Sequence, residues 1–328
     1  MTDRLGSETE LNKNTLLQSG TTQENPVTQK VTLVIEYENL FPLEASVLNS
    51  LNRLLMPSNV ELTLVHAELD WLTAESSQKE YPEILGKTLP ELESRLKQAN
   101  QKARQTLLDL GFEIVEEIDC GLRDKSLKRL TETLWETEQD LLVIATVSAH
   151  DNQPAQPSHF ASRLAAHSPV SVLMLRNPIA ALPPQPFKIL FGVDGSETSM
   201  NAARKLGQIL QTRQSELELA LVQSPVYQEN AVLAPYVNQA VLDEALEVNA
   251  KMVFEMIADI LEPQGLQVLK QLKLSGSPAT ELGHLAQIEH PDLLVVGSHN
   301  RKGLLAWLMG SVSSQLMQWD RHNLLIVR

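Results

Sequence analysis

A run of small and polar residues lies late in the sequence, between a segment typical of a buried strand and one typical of a helix. The run is Val296-Gly297-Ser298-His299-Asn300-Arg301-Lys302-Gly303, and Gly310-Ser311-Val312-Ser313 begins seven residues after it. Gly297 and Gly310 lack a Cβ, so backbone N–H groups there can converge on a cluster of ligand oxygens. Ser311 and Ser313 add hydroxyl donors where the next helix should begin, at the positive end of its dipole. The pattern predicts a phosphate-binding loop, although a glycine turn followed by a serine helix cap would use the same residue types.

The segments around this loop alternate between strand and helix character. The run before it is uniformly apolar, as in a parallel strand buried on both faces. The predicted strands of this half are Lys188–Val193, Leu217–Val222, Gln267–Leu274, Asp292–Val296 and Leu324–Val327. The predicted helices are Ser199–Leu210, Val237–Leu261, Ala279–Glu289 and Val312–Trp319. Strands separated by helices pair in parallel through right-handed crossovers, which predicts an open α/β sandwich.

The longest predicted helix of this half, Val237–Leu261, carries apolar residues three or four positions apart. This spacing forms a stripe typical of an amphipathic helix. Its members are Val237, Val241, Ala245, Val248, Met252 and Met256.

The first half of the chain repeats the same order of segments. Asp140–Thr146 matches Asp292–Ser298, and Val172–Arg176 matches Leu324–Arg328, both at an offset of 152 residues. Its predicted strands are Thr32–Tyr37, Glu61–Ala67, Phe112–Ile118, Leu141–Ala145 and Ser171–Leu175, and its predicted helices lie near Glu44–Leu55, Leu89–Leu110, Asp124–Glu138 and Phe160–Ala166. Agreement at two separate places without a gap indicates a tandem duplication.

Composition suggests where the two domains begin and end. Residues 1–29 are polar and lack apolar periodicity, which predicts a disordered tail. The first domain is predicted at 30–176 and the second at 187–328. Residues 177–186 hold four prolines, which predicts a stiff, extended linker between them.

Overall composition limits the classes of function. A formal net charge of −14 argues against a general binder of nucleic acid or anionic membranes, since both need a basic surface. The single cysteine, Cys120, excludes an intramolecular disulfide and favours a reducing compartment. No apolar run reaches the length of a membrane span, so we expect a cytoplasmic protein.

Two motifs of the second half together resemble the universal stress protein family. Phe187–Glu197 reads as a strand that ends in Val193-Asp194-Gly195-Ser196, the opening typical of that family. Gly297, position 300, Gly310 and Ser311 fall on the glycine spacing of its nucleotide-binding members. The whole chain resembles a tandem member, strongly from residue 187 and weakly before it. The resemblance implies two doubly wound, open parallel-sheet domains of Rossmann-like type, with strand order 3-2-1-4-5 and three α/β/α layers.

The resemblance also implies a site for ATP or a related adenine nucleotide, with Mg²⁺ as a further expected ligand. Asp194 would contact the adenosine sugar, and Val222 would meet adenine through its backbone. The other expected binding residues are Val193, Gly297, Ser298, Asn300, Gly310, Ser311, Val312 and Ser313. Asn300 departs from the family glycine, although Asn tolerates the left-handed region better than most residues. The crevice between the first and fourth strands of such a sheet is where these residues would meet.

The first half departs from the nucleotide-binding pattern. At the same offset, Ala145 replaces Gly297, Ser158 replaces Gly310 and His159 replaces Ser311. The opening aspartate falls near Glu38. We therefore expect one nucleotide site per chain, in the second half.

Three functions follow as hypotheses: a nucleotide-binding stress-response or signalling protein, a nucleotide-independent interaction module whose partner protein the sequence does not identify, and a slow ATP hydrolase. No nucleophile–base arrangement and no histidine–cysteine spacing typical of a metal site stands out.

Strands Val172–Leu175 and Leu324–Val327 are expected to pair. This pairing would make the two halves an internal pseudo-dimer and leave a homodimer as a further option.

Overall fold

A single mixed sheet runs through both halves of the chain. The computed structural model describes residues 28–36, 45–67, 82–120, 130–146 without 131, 133 and 135, 159–177, 179, 186–210, 215–223, 238–298, 310–318 and 322–328. The predicted tail lies outside these residues except at its end, where Gln29 already belongs to the first strand. Of the predicted linker, only 177, 179 and 186 are described.

Ten strands are found among the described residues. They are β1 Gln29–Glu36, β2 Val60–Ala67, β3 Glu113–Cys120, β4 Leu141–Thr146, β5 Ser171–Leu175, β6 Phe187–Val193, β7 Ser215–Gln223, β8 Gln267–Ser275, β9 Leu293–Gly297 and β10 Leu324–Val327. Their order across the sheet is β3-β2-β1-β4-β5-β10-β9-β6-β7-β8. Each half therefore has the order 3-2-1-4-5, which confirms the predicted α/β fold class.

The two halves join through their last strands. β5 and β10 pair antiparallel, with Leu173 opposite Leu325, whereas the neighbouring strands within each half pair in parallel. The halves are thus related by an approximate two-fold axis, and their strands end at opposite edges of the sheet. This is the pairing expected of an internal pseudo-dimer, and it produces one sheet of ten strands rather than two separate sheets.

Helices cover both faces of this sheet. The α-helices with described bounds are α1 Ala45–Asn49, α2 Leu51–Leu54, α3 Pro82–Asp109, α4 His159–His167, α5 Glu197–Ile209, α6 Gln239–Leu261, α7 Pro278–Glu289 and α8 Ser311–Met317. Buried residues of α1, α2, α3, α5 and α6 pack on one face. Those of α4, α7, α8 and the helical residues within 130–136 pack on the other. Three layers result, as predicted.

The helix predicted near Glu44–Leu55 is divided at Ser50. This serine is fully buried, and its hydroxyl donates to the Ser46 carbonyl at 3.1 Å. The same oxygen accepts a hydrogen bond from the backbone N–H of Ile179 at 2.7 Å. Ile179 is itself 3% exposed, so this part of the segment predicted as a linker is packed against the first half rather than fully extended in solvent.

The apolar stripe predicted on the long helix lies on the solvent-facing side of α6, away from the core. Ala250, Val253, Phe254, Ile257 and Leu261 are the residues of α6 that the sheet buries. Val241, Ala245, Val248, Met252 and Met256 are exposed instead, and Val237 lies outside the described residues. Both sets recur with a helical period, and their side chains point to opposite sides of the helix.

Candidate functional site

A cavity of about 150 Å³ opens at the carboxyl ends of β6, β7 and β9. This is the crevice between the first and fourth strands of the second half, where the crossover direction reverses. Sixteen of the described residues line it: Gly192, Val193, Asp194, Ser196, Thr198, Ser199, Ala220, Val222, Pro278, Leu282, Val296, Gly297, Gly310, Ser311, Val312 and Ser313. Eight of the ten binding residues predicted from the sequence are therefore brought together from four separate segments of the chain.

A tight turn after β6 fixes Asp194 at the mouth of the cavity. One carboxylate oxygen, Oδ1, accepts a hydrogen bond from the Ser196 N–H at 2.9 Å, which is an Asx turn. Gly195 makes the turn with φ +74, and a Cβ there would stand 2.6 Å from Cγ2 of Val253. The turn thus holds the exposed carboxylate of Asp194 beside the cavity.

The turn leads directly into α5. The Ser196 hydroxyl oxygen accepts from the backbone N–H of Ser199 at 3.2 Å, so Ser196 is the N-cap of this helix. The first turn of α5, with Thr198 and Ser199, forms part of the cavity wall. Neither residue was predicted as a site residue. The serine before a helical segment does, however, mark a helix N-terminus in the sequence.

The N-terminus of α8 forms the opposite side of the cavity. The first bond of the helix runs from the Ser314 N–H to the Gly310 carbonyl, at 2.9 Å. The N–H groups of Ser311, Val312 and Ser313 therefore have no acceptor within their own helix. Ser311 is exposed and lines the cavity, whereas the buried Ser313 hydroxyl already donates to the Gly310 carbonyl at 3.0 Å.

Packing gives a reason for one of the two glycines of the predicted loop and not for the other. A Cβ on Gly297 would lie 3.1 Å from the Thr198 carbonyl oxygen and from its Cγ2, so the close approach of β9 to α5 already requires a small residue. A Cβ on Gly310 would meet only the Ser313 hydroxyl, at an ordinary 3.5 Å. The φ of Gly310 is −60, which any residue adopts. Packing explains Gly297, and it leaves Gly310 unexplained within the described part of the chain.

The inner wall of the cavity is apolar. Val193, Ala220, Leu282 and Val296 are buried core residues that also face the cavity. The register of β6 against β7 ends at Val193 and Leu221, so Val222 extends beyond β6 and reaches the lining. An apolar wall next to a ring of N–H donors suits a ligand with a flat apolar part and an anionic part.

Few charged side chains are found among the described residues around the cavity. Asp194 is the single ionisable side chain among its described lining residues. Three helix N-termini, those of α5, α7 and α8, meet at the cavity through Ser199, Pro278 and Ser311. Positive potential therefore comes from backbone dipoles rather than from basic side chains of the described lining.

Two of the predicted binding residues are not part of this lining. Ser298 is 4% exposed, and its N–H donates to the Val327 carbonyl at 2.8 Å, so it holds β9 against β10. Asn300 lies outside the described residues. Pro278 and Leu282 line the cavity without having been predicted, since only the fold places α7 beside the loop.

The corresponding place in the first half carries different side chains. Val31 pairs with Leu141 as Ile189 pairs with Leu293, which makes Glu36, and not a residue near Glu38, the equivalent of Asp194. Glu36 is 5% exposed, whereas Asp194 is exposed. The alignment estimated from the sequence was wrong by two positions, because no motif fixed the end of β1.

Two other features are absent from the described residues. They contain no group of three or more His, Cys, Asp or Glu side chains arranged to hold a metal ion. Within the same part of the chain, no helix has both the length and the apolarity needed to cross a membrane.

Comparison with known proteins agrees with this fold. The sequence model of the universal stress protein family matches residues 187–328. Universal stress protein MJ0531 of Methanocaldococcus jannaschii is 25% identical over 155 residues, 43% of this chain and 81% of that protein. Universal stress protein Rv1636 of Mycobacterium tuberculosis is 29% identical over 143 residues, 42% of this chain and 94% of its own length. The second half of the chain, residues 187–328, therefore matches the universal stress protein family.

Two solved structures resemble the whole chain. A universal stress protein from Archaeoglobus fulgidus superimposes with a TM-score of 0.57 at 12% identity, covering 90% of this chain and 98% of that one. A putative universal stress protein from Pseudomonas aeruginosa gives a TM-score of 0.52 at 15% identity, with coverage of 92% and 93%. At these identities the likeness establishes the shared fold of both halves.

Proposed function

We propose that the second half of this protein binds ATP or a related adenine nucleotide, with Mg²⁺, and that the chain acts in a stress response or in signalling. The observation that carries the proposal is the cavity itself, which joins an apolar wall, an exposed carboxylate and three helix N-termini. A nucleotide offers the matching parts in the same order: a flat base, a sugar with hydroxyl groups, and phosphates.

The proposed ligand would lie across the carboxyl ends of the strands. Adenine would rest against the apolar wall and meet the backbone at Val222, while the sugar hydroxyls would donate to the Asp194 carboxylate. The phosphates would accept from the free N–H groups of Ser311, Val312 and Ser313. Gly310 supports this assignment, because neither its backbone angles nor its neighbours require glycine, and a missing Cβ leaves room for a phosphate.

One site per chain is proposed. In the first half the buried Glu36 stands where the second half has the exposed Asp194, and Ala145 stands where it has Gly297. His159 begins α4 at the position where Ser311 begins α8. The first half therefore serves as a structural partner of the nucleotide-binding half.

Calorimetric titration of Mg-ATP into the full chain tests the proposal. Gly310→Asp places a carboxylate where phosphate would lie, and it should abolish binding by charge repulsion. Asp is also a favourable N-cap, so the free energy of unfolding of this variant should stay within about 0.5 kcal/mol of the parent protein. Binding near one site per chain, lost in a folded Gly310→Asp variant, is the expected result.

Ser314→Asp is the matched control, since it adds the same carboxylate one turn further along α8 and Ser314 does not line the cavity. It should retain most of the affinity. No heat of binding in the parent protein, with no nucleotide carried over from purification, would favour the nucleotide-independent interaction module. Phosphate release measured in the same mixtures tests the slow-hydrolase alternative.

A further inference from the structure

The exposed apolar stripe of α6 is a surface that the proposed nucleotide site does not use. Val241, Val248, Met252 and Met256 are 61%, 54%, 53% and 39% exposed, and Ala245 is exposed among them. Their spacing of four, three, four and four residues places them on one side of the helix, over about 22 Å. A continuous exposed apolar surface of this kind marks an interaction site more often than scattered apolar residues do.

The fold does not require this stripe. α3 is the equivalent long helix of the first half and packs on the same face of the sheet. Its described solvent-facing positions between 94 and 105 are polar, among them Gln98, Lys102 and Gln105, and Leu108 near its end is 37% exposed. Among the described positions of these two helices, a continuous apolar stripe lies on α6, and its apolar character calls for a separate explanation.

We propose that α6 pairs with α6 of a second copy of this chain, antiparallel, about a two-fold axis near Val248. In that register Val241 of one copy faces Met256 of the other, Ala245 faces Met252, and Val248 faces its own copy. Each long, flexible methionine thus meets a smaller side chain, and the stripe is complementary to itself.

The charges beside the stripe favour the same arrangement. Glu244 and Lys251 follow one edge of the stripe and are both exposed, and Lys251 also lies 3.8 Å from Glu255 of its own helix. When two identical helices pack antiparallel, equal edges meet in reversed order. Glu244 of each copy then lies opposite Lys251 of the other, which gives two symmetric ion pairs. In a parallel pair this edge would meet the opposite edge of the partner helix, so Glu244 would not face Lys251.

The strand edge at the junction of the two halves is used inside the chain. β5 and β10 pair with each other, so their edges are not available to a second copy, whereas β3 and β8 remain the outer strands of the sheet. The stripe is short compared with the area that a tight dimer buries, so the expected association is weak, with a dissociation constant of roughly micromolar or above.

Sedimentation velocity of the full chain over a range of concentrations measures this association. Val248→Lys places two lysines against each other at the axis and should weaken the dimer at least about tenfold. Ile288→Lys is the matched control, because Ile288 is also exposed, at 72%, on a helix of the same half but on the opposite face of the sheet. It should leave the association unchanged.

Charge reversal tests the register. Glu244→Lys and Lys251→Glu should each weaken the dimer about threefold, since each sets like charges together. The double variant with both substitutions should restore the parent association, because every Glu–Lys contact is formed again with its partners exchanged. Rescue of this kind requires the antiparallel pairing.

A monomer at all concentrations would overturn the proposal and leave the stripe to a different protein. A dimer that survives Val248→Lys would place the contact elsewhere and would also overturn it. If both lysine variants lost the dimer, the charge-reversal series would decide, and failure of the double variant to recover would reject the antiparallel pair. None of these outcomes depends on nucleotide binding.

Discussion

Arg176 and Arg328 occupy equivalent places after β5 and β10, and each guanidinium reaches across the junction to the C-terminal end of a helix in the other half. The Arg176 Nη2 donates to the carbonyl of Met317, the last residue of α8, at 2.5 Å. The Arg328 Nη2 donates to the carbonyls of Ala165 and Ala166 near the end of α4, at 2.8 and 3.4 Å. A cation at a helix C-terminus is favourable, so the two halves stabilise each other's last helix.

This relationship predicts an asymmetric effect on nucleotide binding, if the proposed site is correct. Arg176 holds the far end of α8, whose N-terminus lines the cavity, whereas Arg328 holds α4 of the first half. Arg176→Met should raise the dissociation constant for Mg-ATP about threefold or more through displacement of α8. Arg328→Met should leave it within about twofold, while both variants lose comparable stability in urea unfolding. Equal effects on binding would contradict a specific role of Arg176.

Burial gives Arg328 a predictable dependence on pH. Loss of hydration lowers the pKa of its guanidinium to about 10 in the folded chain. Above that pH the unfolded chain still binds a proton that the folded chain has released, so rising pH favours the folded state. The difference in unfolding free energy between the parent protein and Arg328→Met should be constant below about pH 9. It should then shift towards the parent by at most about 1.4 kcal/mol per pH unit.

Denaturant titrations of the two proteins side by side measure this shift, because the titration of other groups cancels in the difference. A constant difference up to about pH 11 would contradict the lowered pKa.

Asn323 should be the most sensitive single residue of the junction. Its side-chain oxygen accepts from the N–H groups of Arg176 and Asn177, at 2.8 and 2.9 Å. Its side-chain nitrogen donates to the Asp292 carbonyl at 3.0 Å, and the residue is 3% exposed. Asn323→Ala removes these three hydrogen bonds from a buried place and should cost about 2–4 kcal/mol of unfolding free energy. A cost below about 1 kcal/mol would mean that water replaces the amide.

The order and type of most elements could be predicted from the sequence because the signals are local. The apolar run at β9 and the repeat at β4, β5 and β10 required nothing beyond strand periodicity and an offset. The face of α6 could not be predicted in this way. Two apolar sets share the helix with the same period, and the contacts of Phe254 and Ile257 with the sheet decide which is buried.

The site shows the same division between local and long-range information. Asp194, Gly310 and Ser311 were predicted because their spacing is a motif, and the fold places all three at one cavity. The different roles of Gly297 and Gly310 could not be predicted, since they depend on how closely Thr198 of α5 approaches β9. The position of Glu36 likewise needed the pairing register of β1 against β4.

The turn that presents Asp194 depends on a glycine for two separable reasons, and two substitutions can separate them. Gly195 and Gly265 have nearly equal positive φ, +74 and +78, so alanine should cost about 1 kcal/mol at either position through backbone strain. Only at Gly195 would the new Cβ also press on Val253, at 2.6 Å, whereas a Cβ at Gly265 meets no atom within 4 Å. Gly195→Ala should therefore lose about 1–3 kcal/mol more than Gly265→Ala in urea unfolding. It should also weaken any ligand held by Asp194, while Gly265→Ala should not; equal losses of stability would show that α6 moves aside without cost.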